Sequence, residues 1–292
     1  MDAGVSCYCF NPLLTSGETT LAQVIEFVGK KTEADYFEPL TRFFDPEKDE
    51  NGQAKAARTL LDDVGLKVSC YTLDSNFGTP DDAARQECID RCIRRIETAQ
   101  ILGAPVIRLD PCTSLPKEIV EQGNLDAFVP RIAEGMQKVA DAAATAGLDV
   151  GAENHGRLFG GYRHVSEMIR LVDRPNFGVN IDFTNFKNVF GEDHVENTRK
   201  LAPHVKHAHQ KDFHIRTDQP DDEWREIPTG EFVKRAVVGE GNGQVKECMQ
   251  ILHDAGYAGV VAIETAGPDD IYDGVARGVA NLRRIIAECE HA

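Results

Sequence analysis

The chain has 292 residues, long enough for one large domain or two small ones. Its 48 acidic residues against 32 Lys and Arg leave a net charge of −16, which excludes a nucleic-acid backbone or an anionic membrane as partner, since both need a basic face. No apolar run reaches the roughly 18 residues of a membrane span, and no basic-then-apolar leader pattern opens the chain, so a cytoplasmic protein is expected.

Residues 4–10 read as a first strand. From Thr20 onward, Leu21, Val24, Ile25 and Val28 recur at helical spacing, with Thr19 or Thr20 placed to cap. Residues 34–38 form a short second strand ending in Glu38, and 45–52 a charged loop. A helix over 54–64 closes on Gly65. Residues 66–73 give a third strand. A long helix over 81–102 follows, with Pro80 before it and Gly103 after it. The fourth strand, 105–110, ends in Asp110, and an Ala-rich helix over 126–146 ends at Gly147. Strand five is Leu148-Asp-Val-Gly-Ala-Glu-Asn-His155. Helices over 165–172 and 192–201, strands over 177–183 and 204–210, a helix over 245–255, a strand over 259–265 and a helix over 275–289 complete the chain. The eight cysteines include no CxxC pair and are expected to be reduced and mostly buried.

Repeated strand–helix units imply a parallel sheet. Eight of them predict an α/β protein with a (β/α)8 TIM barrel filling the chain as a single domain. An open doubly wound sheet would want a Gly-rich loop after strand one, and Phe10-Asn-Pro-Leu-Leu is not one. Residues 213–242, rich in charge, Pro and Gly, read as a lid or insertion after strand seven.

Four successive strands end in polar residues: Glu153, Asp182 in Gly178-Val-Asn-Ile-Asp182, His209 in Val205-Lys-His-Ala-His209, and Glu264 in Val260-Val-Ala-Ile-Glu264. The first three lie 29 and 27 residues apart, about one βα unit each. In a barrel these ends share one face. Three carboxylates and an imidazole make a divalent-metal ligand set, and a cation removes the repulsion that clustered acids would suffer. His155 and Lys211 share faces with Glu153 and His209, which makes them candidate substrate contacts. Arg108 and Asp110 share a face of strand four, which suggests a buried pair, with Arg108 also able to fix a substrate hydroxyl. Glu38 is expected in a salt bridge and His207 as a hydrogen-bonded core histidine. Gly239-Glu240-Gly241 predicts a tight turn whose free N–H groups bind an anion, so Glu240 joins the candidate contacts.

Ala152-Glu-Asn-His-Gly156, Asn180-Ile-Asp182, His207-Ala-His-Gln-Lys-Asp212, Gly239-Glu-Gly241 and Ala262-Ile-Glu264 together resemble the xylose-isomerase-like barrel superfamily of sugar isomerases and epimerases. The resemblance covers almost the whole chain. It implies one divalent ion, manganese, magnesium or cobalt, with zinc as a further candidate, held by Glu153, Asp182, His209 and Glu264. It also implies that Glu153 and Glu264 form the catalytic proton-transfer pair. Ketose 3-epimerases of the family carry a His where this chain has Asn185, a further candidate substrate contact, and an Arg where it has Ile215.

The expected function is a metal-dependent isomerase or epimerase of a small sugar, polyol or keto-sugar, working through a metal-stabilised enediolate. The alternatives are a lyase or dehydratase on the same first step, resembling dehydroshikimate dehydratases, and a non-catalytic sugar-binding barrel. The partner expected is a small sugar-derived molecule. Any of several outer helices is free to join copies into a homo-oligomer.

Overall fold

Short apolar runs, each followed by an amphipathic helix, build the staves of a barrel. The computed structural model describes residues 1–220, 223–267 and 270–291. Its strands are β1 (Asp2–Ser6), β2 (Tyr36–Glu38), β3 (Lys67–Val68), β4 (Tyr71–Leu73), β5 (Val106–Leu109), β6 (Asp149–Glu153), β7 (Phe177–Asp182), β8 (Val205–Gln210), β9 (Asp212–Arg216), β10 (Arg225–Glu226), β11 (Phe232–Ala236) and β12 (Val260–Ile263). Its helices are α1 (Asn11–Ser16), α2 (Leu21–Lys31), α3 (Glu50–Asp63), α4 (Asp82–Leu102), α5 (Lys117–Glu121), α6 (Val129–Thr145), α7 (Tyr162–Val172), α8 (Phe183–Phe190), α9 (His194–Leu201), α10 (Val245–Asp254) and α11 (Ile271–Glu290).

The parallel sheet runs β3-β2-β1-β12-β8-β7-β6-β5-β4. β3 and β4 are two halves of one stave: β3 pairs with β2 and β4 with β5. A bridge between Leu40 and Thr72, with the Thr72 N–H donating to the Pro39 carbonyl at 3.1 Å, joins the two edges. The result is the TIM barrel of eight staves that the repeats predict. Helix ends follow local chemistry. Thr20 and Gln23 form a reciprocal capping box on α2, Asp81 caps α4, and Gly103 ends α4 in the left-handed conformation. The inner face of α6 buries Ile132, Met136 and Val139, each contributing about 1.5–3 kcal/mol by removal from water.

Four expectations change. The first strand stops at Ser6, whose hydroxyl accepts from the Tyr8 N–H and starts a 3-10 turn over Cys7–Phe10, with Pro12 then favouring α1. The third strand breaks between Val68 and Tyr71 because its halves serve different neighbours. α8 starts immediately after Asp182, with Phe183 and Phe186 buried. Residues 213–242, expected to be an irregular lid, hold an antiparallel sheet in the order β10-β11-β9.

All eight cysteines are buried and free. Among the described residues, no helix is long and apolar enough to cross a membrane.

A register shift between β7 and β8 sets the site. Val179 pairs with Val205, but Asn180 pairs with His207 and Asp182 with His209, so Lys206 is the extra residue. Such bulges re-aim side chains beside active sites. Gly178 lets the strands approach here, since a Cβ on it would overlap the His204 carbonyl oxygen. Gly178→Ala is therefore expected to lower stability by about 1–3 kcal/mol, measured by urea unfolding; an unchanged midpoint would contradict this packing.

Candidate metal centre

β6 ends on Glu153, β7 ends on Asp182, β8 carries His209 and Glu264 directly follows β12. Parallel pairing puts Asp182 on one side of His209 and Ala262 on the other. Glu153, Asp182 and His209 are buried, and the Glu264 side chain is nearly so.

His209 is the hub. Its Nδ1 lies 3.1 Å from Glu153 Oε1 and 3.5 Å from Glu264 Oε1, and its Nε2 lies 2.7 Å from Glu38 Oε2. The Asn180 amide nitrogen stands 3.2 Å from the same Nδ1. The Asn180 amide and the carboxylates of Glu153 and Glu264 all face Nδ1; with the ring proton on Nε2, facing Glu38, Nδ1 is the acceptor that a metal ion needs. A lone pair aimed among two carboxylates is unfavourable unless a positive charge sits there. A divalent ion on Nδ1 removes the conflict, and a carboxylate on the other ring nitrogen is the usual support for a metal-bound histidine. Without an ion, a second ring proton serves. Burial pulls the His209 pKa down, but Glu38 and Glu264 outweigh it and raise it.

Ligand atoms of Glu153, His209 and Glu264 lie within 4.8 Å of one another. Asp182 is outside that group. Its carboxylate and that of Glu264 both hold Lys211 Nζ, the latter at 2.5 Å. An ammonium thus stands where two of the expected ligands would share a cation. Burial disfavours a charged lysine, but Asp182 and Glu264 raise the Lys211 pKa. Burial pushes the Glu264 pKa up, but Lys211 and His209 bring it down to about 2.

Glu38, read from the sequence as a salt-bridge residue, accepts from both His207, at 3.1 Å, and His209. Burial would raise its pKa, yet His209 and His207 hold it well below the carboxylate range. His207 is a buried core histidine bonded to Glu38. Arg108 pairs with Asp110 at 2.8 Å and also contacts Glu153. The exposed His155 binds the other Asp110 oxygen at 2.8 Å. These residues orient Glu153 and His209 across the barrel.

A cavity of about 490 Å³ opens onto Glu264 and Lys211 and is lined also by Asn185, Phe213, Arg225 and Arg235. Of the expected substrate contacts, Lys211 and Asn185 reach it. Arg108 and His155 are not in its lining; Arg108 Nη1 and His155 Nδ1 bind Asp110. Glu240 is not brought to the site: Arg277 holds its carboxylate at 2.9 and 3.0 Å. Nor are the turn's N–H groups free for an anion. Gly239 and Gly241 each donate to Asp212 Oδ2 at 2.9 Å, and Gly243 donates to Asp212 Oδ1 at 3.1 Å. The chain's own carboxylate fills that nest.

The chain belongs to the xylose isomerase-like TIM barrel family, whose model matches residues 28–285. Similar solved structures include a xylose isomerase domain protein from Alicyclobacillus acidocaldarius subsp. acidocaldarius, 21% identical with a TM-score of 0.73, covering 99% of this chain and 99% of that one. The IOLI protein solved with a zinc atom is 17% identical with a TM-score of 0.72, covering 99% and 98%. D-psicose 3-epimerase from Clostridium cellulolyticum H10, solved with D-tagatose, is 17% identical with a TM-score of 0.71, covering 98% and 99%. At these identities the likeness concerns the fold. No protein of curated function matches the chain by sequence.

The donor set fits a divalent cation, with Lys211 as its competitor. Calorimetric titration with Mn²⁺ should therefore split two variants. Lys211→Met should bind about tenfold tighter or more, because a charge-assisted contact of about 1.5–3 kcal/mol no longer has to be broken. Glu38→Gln should bind about tenfold weaker, because the imidazole loses its orienting charge. Two variants with wild-type affinity would contradict the arrangement.

Proposed function

We propose that the protein is a divalent-metal-dependent isomerase or epimerase of a small sugar, polyol or keto-sugar. The observation that carries this reading is the convergence of Glu153 and Glu264 on His209 Nδ1, with Glu264 open to the cavity. Glu153, Asp182, His209 and Glu264 would hold the cation, which when bound supplies Lewis acidity toward a carbonyl and its neighbouring hydroxyl.

The chain's own residues do the rest. Glu264 meets the substrate from the cavity and takes the proton from the carbon beside the carbonyl. Held by Lys211 it is a poor base, with a pKa of about 2. A bound cation would keep that pull, so the proton goes to a Glu264 oxygen left free of the metal; Lys211, at the cavity wall, is within reach of a substrate oxygen. Glu153, fixed by Arg108 and His209, takes up a proton from solvent and returns it from the other side, and Glu264 releases its own to solvent. Asn185 contributes an amide nitrogen that is buried and has no partner among the described residues. The family match and the epimerase among the similar structures support the same chemistry.

The test is solvent exchange. Mn-loaded protein in D2O, given a panel of neutral and anionic ketoses, should place deuterium beside the carbonyl of at least one. Glu264→Gln should slow this about 100-fold or more. Loss of water to an unsaturated, UV-absorbing product would reassign the protein as a lyase. No exchange and no such product, in protein shown to hold metal, would overturn the proposal.

A further inference from the structure

We infer that the substrate carries an anionic group, a phosphate or a carboxylate, bound by Arg225 and Arg235 at the mouth of the cavity. The inference rests on the reading that this cavity receives the substrate.

The small antiparallel sheet sorts its charges by strand parity. Arg225 on β10 pairs with Val233 on β11, and Arg235 lies two residues beyond Val233, on the same face. Phe213 on β9 pairs with Arg235 and shares that face. Phe213, Arg225 and Arg235 all line the cavity that reaches Lys211 and Glu264. Lys234 points to the opposite face, where Glu223 pairs with it. Lys234 is neutralised by Glu223; Arg225 and Arg235, both exposed at the cavity, have no such partner among the described residues.

Among the described residues, neither arginine has an ion-pair partner. Arg225 donates only to the Asn188 carbonyl, at 3.3 Å, and Arg235 has no side-chain hydrogen bond. Glu264 is the one acidic residue among the described residues lining this cavity, and Lys211 already holds it. Around Arg225 the charged neighbours are guanidiniums: burial lowers its pKa, and Arg157 and Arg235 lower it further. In a chain of net charge −16, two neighbouring cations at the cavity without counter-charge are a place that an anion would fill. Guanidinium forks match phosphate and carboxylate oxygens in pairs. The distribution of function follows from this. Glu264 and the metal ligands act at the reacting carbons, while the β10–β11 arginines hold the remote end of the molecule.

The experiment is equilibrium binding to the full-length, Mn-loaded protein by calorimetry, with D-fructose, D-fructose 6-phosphate and 5-keto-D-gluconate as probes. At least one anionic probe should bind about tenfold tighter than D-fructose or better, and which one does so separates phosphate from carboxylate. The advantage should shrink as salt rises and vanish in Arg225→Gln/Arg235→Gln. Arg235→Gln alone, at an exposed side chain without partners, carries the test if the double variant folds poorly. No advantage for either anion, or one that survives both variants, overturns the inference. Binding needs no turnover, so the two readings fail separately. An anionic advantage without solvent exchange would sink the isomerase reading alone. Exchange with a neutral ketose and no anionic advantage would sink this inference alone.

Discussion

The constraint on which the site depends is buried negative charge. Glu38, Asp110, Glu153, Asp182 and Glu264 crowd the C-terminal ends of the staves, with Arg108 and Lys211 as the fixed cations touching them. Burying ions is expensive unless partners are close and well directed. The barrel meets that condition with chains of contacts: Arg108 between Asp110 and Glu153, His209 between Glu38 and the two catalytic candidates, and Lys211 between Asp182 and Glu264. His209 Nδ1, faced by carboxylate oxygens of Glu153 and Glu264, takes one more positive charge, a second ring proton or a cation.

That shortage links structure to chemistry. A cation there would draw on Glu153, His209 and Glu264, whose ligand atoms the barrel brings within 4.8 Å of one another, with Asp182 beside them. Lys211 joins Asp182 to Glu264. Its ammonium holds the two acids together, and a cation bound to the same acids would release it toward the cavity. The insertion after β8 completes the cavity, and its Asp212 root is tied down by the N–H groups of Gly239, Gly241 and Gly243. The β10–β11 arginines are therefore presented from an anchored segment.

Much of this was legible because strands of period two end abruptly in polar residues at the site. The endings at Glu153, Asp182, His209 and Glu264 needed no tertiary information, nor did the caps at Thr20 and Gly103. The resemblance carried by Ala152-Glu-Asn-His-Gly156 and its companions agrees with the family match. Other features depend on contacts between distant parts of the chain. Residues 66–73 read as one strand because the break between β3 and β4 arises only when the barrel closes. Glu38 reaches His209 across 171 residues of sequence, so its role could be guessed only as a generic ion pair. Glu240 misled because the anion for its glycine turn is Asp212, far away in sequence. α8 was hidden by Phe183 abutting a strand, where an apolar run and a helix start look alike.

The account is tested most directly by anomalous diffraction at the manganese edge, from crystals of the protein grown with Mn²⁺. It predicts one strong peak bonded to Glu153, Asp182, His209 Nδ1 and Glu264, with Lys211 swung away. A protein that shows no peak there, with Lys211 still joining Asp182 to Glu264 at saturating Mn²⁺, would contradict it.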